Sequence, residues 1–258
     1  MNKFNIALFA ICFWLTASPS QAEDLLVTAM GFGAGIGSGS ISGDYMKSST
    51  GLALGGGLDF DGNLFMLKAG GHTTVDNDSK SMDIALGMGN KWIKVGLAYA
   101  MIGADVATSN TPVAVGGGPL VGIVNTDTSR DTSLQVDAFS PFVRLSPIRT
   151  KDSLVSMDFY YSLASSGEQK VPVRVLGLDG YLVTEPVKAG GAYGISLQAV
   201  HRIKGSWAVF GRYGYDRAQL NGGNARVQGD ILGSYNSVPI PDVSLRNQVF
   251  MIGVMMVH

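Results

Sequence analysis

Large apolar side chains recur at every second position over most of this chain, a period of two that predicts β-strands. Leu52, Leu54, Gly56, Leu58 and Phe60 alternate with Ala53, Gly55, Gly57 and Asp59. The same beat runs through 65–72, 81–88, 93–101, 155–163, 193–202 and 207–216. In each, one face is large and apolar, and the other holds Gly, Ala, Ser and a sparse set of charges. The run 134–145 begins with Leu134, Val136 and Ala138 on the apolar face. It changes parity at Ser140-Pro141 to Val143 and Leu145, which predicts a bulge at that proline. A first run, Leu25 to Phe32, and a last run, Phe250 to Val257, are apolar almost throughout, bringing the total to ten strands.

The small-residue face is a poor solvated surface, so the apolar face is not the buried side of a soluble sandwich. In a membrane barrel the bulky apolar face meets lipid, and small and polar residues fill the lumen. An Arg or Lys facing lipid at mid-depth costs about 2–4 kcal/mol. Lys68, Lys94, Arg144, Arg202 and Arg212 all fall on the inner parity and avoid that cost. The connections agree with a barrel. Asp61-Gly62-Asn63, Gly89-Asn90-Lys91 and Lys204-Gly205-Ser206 are tight turns, and 146–153 is a fourth short link. The alternate connections, roughly 35–50, 76–80, 104–132, 166–190 and 218–246, are longer. Trp92 and Trp207 each follow a short turn, as an interfacial girdle requires, and Tyr99, Tyr161, Tyr213 and Tyr215 lie toward the opposite ends. The expected fold is all-β, an antiparallel transmembrane barrel of about ten strands with extended hairpin loops.

Composition narrows the alternatives. Charged residues make up only 15% of the 258, against about 25% in an ordinary soluble domain. Thirty-five glycines exclude a mainly helical fold, because each costs roughly 1 kcal/mol in a helix interior. A net charge of −1 points to no nucleic-acid partner. Residues 1–22 read as a cleaved secretory signal: Lys3, an apolar stretch from Ile6 to Leu15, Pro19, then Ser20-Gln21-Ala22. The single cysteine, Cys12, falls inside that segment, so the barrel expected over 23–258 has no disulfide to rely on.

The alternation, the turn pattern and the leader resemble those of bacterial outer-membrane β-barrel proteins over essentially all of 23–258. The resemblance implies periplasmic termini, contact with outer-membrane lipid and delivery by the barrel-assembly machinery. The chain departs from that pattern at its end, Met255-Met256-Val257-His258, where such proteins usually carry an aromatic residue.

Three long connections read as hairpins. Thr111 to Val115 returns as Leu120 to Val124, Val171 to Val175 returns as Tyr181 to Val183, and Ala225 to Leu232 returns through Val238 to Pro241. They are richer in Val, Ile and Leu than solvated loops need, so 104–132, 166–190 and 218–246 are candidate surfaces for a protein partner or self-association. No nucleophile triad or metal cluster is legible, and no cofactor is expected. His72 and His201 are single strand histidines. They lack the following Ser of outer-membrane lipid hydrolases and the preceding Asp-x of outer-membrane aspartyl-type proteases. Asp76-Asn77-Asp78 is too short for a Ca²⁺ site. The expectation is therefore no enzyme. What remains is a balanced inner set, Asp59, Asp83, Asp137, Asp158 and Asp216 against Lys68, Lys94, Arg144, Arg202 and Arg212. Such a set either closes a narrow barrel as an ion-paired network or lines a thin porin-like channel for small ions or solutes. If the lumen is closed, the alternative function is a surface scaffold or adhesin acting through the apolar hairpins.

Overall fold

A computed structural model describes residues 28–42, 49–75, 79–110, 112–115, 122–162, 164–175, 178–184, 187–221, 223–228, 235–240 and 242–257. Residues 1–22, expected from the sequence to be a signal segment, lie outside these residues, as do Asp76-Asn77-Asp78, the hairpin tips and His258. The described chain consists of strands and short connections, with no helix. Ten strands form the wall: β1 (Thr28–Ser42), β2 (Ser49–Asp61), β3 (Phe65–Thr74), β4 (Lys80–Gly89), β5 (Ile93–Ala107), β8 (Asp131–Arg149), β9 (Ser153–Ser162), β12 (Val187–Lys204), β13 (Trp207–Leu220) and β16 (Val243–Val257). Between them stand β6 (Pro112–Val115), β7 (Gly122–Thr126), β10 (Ala164–Val175), β11 (Leu178–Thr184), β14 (Gly223–Gln228) and β15 (Tyr235–Ile240). All wall pairings are antiparallel between neighbours, and β1 pairs with β16, so the sheet closes and leaves no open edge.

The short turns occupy one end, together with Thr28 and Val257; there Gly205 takes φ 57°, a left-handed value that glycine adopts at no steric cost. The other end is longer than the sequence pattern predicts. Of the glycine- and serine-rich stretch read as the 35–50 connection, residues 35–42 are the outer half of β1, paired to β16 as far as Ser42 and to β2 as far as Gly39, and 49–50 open β2. Glycine belongs there for close approach: a Cβ on Gly37 would stand 2.9 Å from the Thr74 methyl group. The three expected hairpins are present in the backbone as β6–β7, β10–β11 and β14–β15. They also pair with one another, β7 to β10 and β11 to β14, making a crown that continues the wall.

Around the short-turn half, the outward face carries Phe32, Leu52, Leu97, Phe139, Ile252 and Val254, each at least half exposed. Burying such side chains in lipid removes apolar area from water at about 25 cal/mol per Å². Above this girdle the outward face turns polar, with Gln135 and Asp137 on β8 and Gln219 on β13.

The parity change expected at Ser140-Pro141 does not occur. β8 runs beside β5 in unbroken register from Leu145 opposite Ile93 to Asp131 opposite Ala107. The offset lies on the neighbouring side: the partners of Phe142 and Phe139 are Tyr160 and Ala164, four positions apart in sequence against three on β8. Leu134, Val136 and Ala138 therefore point inward and Asp137 outward, the reverse of the sequence expectation. The physical reason is the change of solvent. Above the girdle the outer face meets water, so the apolar residues of a strand turn to the inside without any change in its pleat.

Candidate functional site

The lumen is filled in two layers. In the short-turn half, β2, β3, β4, β5, β8, β9 and β13 aim charges at one another. Arg144 donates from Nε and Nη2 to the two oxygens of Asp158 at 2.7 and 3.0 Å, and from Nη1 to Asp59 at 2.7 Å and Asp61 at 3.3 Å. Lys68 bridges Asp158 at 2.9 Å and Asp83 at 2.8 Å, and Asp83 also receives Arg212 at 3.1 Å. Asp61 takes Lys94 at 2.6 Å and Arg149 at 2.9 Å, while Arg149 also reaches the Asp61 carbonyl. Tyr160 donates to Asp216 at 2.7 Å. The carboxylates Asp59, Asp61, Asp83, Asp158 and Asp216 thus stand beside Lys68, Lys94, Arg144, Arg149 and Arg212. Buried charge is tolerable when each group has a partner and good geometry, and the bidentate Arg144–Asp158 fork supplies both.

On the other side of this layer, Leu154, Val200, Phe210 and Met255 pack together. Above it, in the hairpin half, Ile41, Ile102, Val106, Leu134, Val136, Leu220 and Leu245 close into an apolar core, joined by the partly buried Tyr160. Among the described residues, two cavities of about 30 Å³ lie in the lumen, one beside Asp59 and Lys68 and one beside His72 and Asp83. Each has space for only a few water molecules.

Most of the inner set inferred from the sequence meets here: Asp59, Lys68, Asp83, Lys94, Arg144, Asp158, Arg212 and Asp216. Two members do not. Asp137 is outside, where it accepts from the Tyr99 hydroxyl at 2.9 Å. Arg202 points inward near the short turns but, among the described residues, forms no ion pair, and its Nε has no hydrogen-bond partner. Asp61 and Arg149 were missed because each falls within a sequence assigned to a turn or link. Two-residue spacing from Asp59 was the available signal for Asp61; Arg149 gave none, since the ladder slips between Leu145 and Ile148. Trp92 and Trp207 are exposed at the short-turn end, and Tyr161 and Tyr213 are exposed nearer the hairpins, with Tyr215 half-buried. His72 is buried with no partner for Nε2, and His201 shares a hydrogen bond with Ser153 at 2.9 Å.

The crown has its own polar clamp. Asp127 accepts from the backbone and side chain of Ser129 at 3.0 and 2.6 Å and from Arg130 at 2.9 Å. These hydrogen bonds, those from Ser129 foremost, hold its carboxyl down at about 2. Arg130 then donates to the Val173 and Gly180 carbonyls, both at 3.1 Å, and lies 4.7 Å over the Tyr181 ring. One arginine thereby ties the corner before β8 to both strands of the β10–β11 hairpin.

The closed ten-strand wall, its apolar girdle and its short-turn end define the fold of the bacterial outer-membrane β-barrels. Among solved structures, the chain is similar to the outer membrane protease OmpT from Escherichia coli, with a TM-score of 0.61 at 12% identity over 94% of this chain and 100% of that one. Looser matches include the translocator domain of the autotransporter NalP from Neisseria meningitidis (TM-score 0.38, 12% identity, 98% of this chain and 94% of that one). Another is Ail, the attachment invasion locus protein of Yersinia pestis (TM-score 0.35, 8% identity, 89% and 99%). At these identities the likeness is one of fold alone. No family model and no curated protein matches the chain.

Proposed function

We propose that this protein is a non-conducting outer-membrane scaffold, with both termini in the periplasm, that works through its crown of paired hairpins. The observation that carries this reading is the filled lumen: an ion-paired layer below an apolar one, with cavities of only about 30 Å³. The crown is the part that stands clear of the girdle, and its strands come from the segments 104–132, 166–190 and 218–246. Their Val- and Ile-rich sequences suit a protein partner or a second copy of the chain.

Recording from refolded protein in a planar lipid bilayer tests the reading. Inserted protein should stay electrically silent; discrete, reproducible steps would overturn the proposal and restore the porin-like conduit, for which both layers must part. Deleting 112–124 should abolish partner capture or self-association while the barrel stays folded. Binding that survives the deletion undiminished excludes the first hairpin as the contact surface.

A further inference from the structure

Two arginines stand directly opposite one another on the outward face near the hairpin end. Arg217 of β13 and Arg246 of β16 are register partners. They share a face with Tyr213 and Phe250, which lie four positions nearer the short turns on the same two strands. Like charges placed opposite each other across an antiparallel ladder are destabilising. Elsewhere at this level the outward charges are neutralised by neighbours: Lys80 meets Asp105 at 3.3 Å and Lys170 meets Glu168 at 2.7 Å. Among the described residues, neither Arg217 nor Arg246 has a carboxylate partner.

What surrounds the pair is aromatic and polar. Tyr193 is the register neighbour of Arg217 on β12. The Tyr193 and Tyr215 rings lie 6.1 Å apart. On the far side, Arg246 faces Ser40 of β1. Four residues at about 3.3 Å each place the Cα atoms of the pair about 13 Å along the strand from those of Tyr213 and Phe250. At a strand tilt of about 40° that is roughly 10 Å of height. This puts the pair above the apolar girdle, at the level of lipid headgroups, with Arg246 exposed and Arg217 half-buried.

We propose that Arg217 and Arg246, with Tyr193 and Tyr215, bind the phosphate of an anionic lipid whose acyl chains lie on the girdle below, along Tyr213, Phe250 and Ile252. An arginine fork matches phosphate oxygens with two parallel N–H donors, and an anion between the two forks converts their repulsion into attraction.

The test uses the refolded full chain in neutral detergent. Native mass spectrometry counts retained dimyristoyl phosphatidic acid against dimyristoyl phosphatidylcholine, with inorganic phosphate as competitor. The wild-type chain should retain phosphatidic acid preferentially. The double variant Arg217→Gln/Arg246→Gln should lose about tenfold or more in apparent affinity, and Lys91→Gln at the opposite rim should change nothing. Equal retention by wild type and double variant overturns the proposal. So does displacement by inorganic phosphate at concentrations comparable to the lipid, since the site then reads a free anion. A second readout needs only the exposed position. Arg246→Gln should raise the urea midpoint in neutral detergent, by removing the repulsion, and lower it relative to wild type once phosphatidic acid is added. A change of the same sign in both media also refutes the assignment.

Discussion

Replacing Arg144 with methionine asks whether the lower lumen is a dry ionic lock. The Arg144 side chain is 1% exposed and donates to three carboxylates. Methionine keeps much of the stem's packing, so the loss is chiefly electrostatic. Without Arg144, Asp158 retains Lys68, and Asp61 retains Lys94 and Arg149, but Asp59 loses its ion-pair partner. Its second oxygen already lacks a hydrogen bond. Removing one partner from a buried pair costs about 3–5 kcal/mol, because an uncompensated charge is left behind. Urea unfolding of the refolded protein in detergent, followed by far-ultraviolet circular dichroism, should show a loss in that range. Adding Asp59→Asn to Arg144→Met should recover part of it, because the stranded charge is removed. A loss below about 1 kcal/mol, the value for exposed pairs, would refute the reasoning and mean that water penetrates the layer.

Four further outcomes follow from the same geometry. Ile252→Arg, on the girdle, should cost about 2–4 kcal/mol in lipid vesicles, whereas Gln135→Arg, above it on β8, should stay within about 0.5 kcal/mol; equal costs would misplace the girdle edge. Leu134→Ala in the upper core should cost about 2–5 kcal/mol by urea unfolding, and a neutral result would return Leu134 to the outer face. Asp137→Asn should cost under about 1 kcal/mol, as an exposed hydrogen bond does, and far less than Asp158→Asn in the same unfolding assay. The Asp127 clamp carries a pH signature. Its folded value of about 2 lies below the ordinary 3.8, so its stabilising contribution is complete above about pH 4 and is lost as pH falls toward 2. Hydrogen exchange at Gly180 and its neighbours should accelerate across that window in wild type, and Asp127→Asn should remove the acid step.

The inner residues legible from sequence were those on the stretches of strand whose outer face lies within the apolar girdle. Lys68, Lys94, Arg144 and Arg212 sit among bulky apolar neighbours, and their parity alone places them inside. Asp61 and Arg149 escaped because strand ends cannot be located from alternation once a turn residue such as Gly62 interrupts it. Asp137 was misplaced because apolar parity was equated with lipid contact along the whole strand. That equivalence fails where β8 rises out of the girdle.

Alternation by itself determined the class of fold. A side-chain period of two, small residues on the second face and short turns at one end are local properties, and they limit the chain to a closed antiparallel wall. What only the tertiary structure decided is where the surrounding medium changes from lipid to water, and hence which face of each strand is the interior at each height. It also decided which charges meet. Arg144 and Asp59 lie 85 residues apart in sequence and 2.7 Å apart in the lumen. Their pairing depends on the closure and stagger of the whole sheet, which no local pattern encodes.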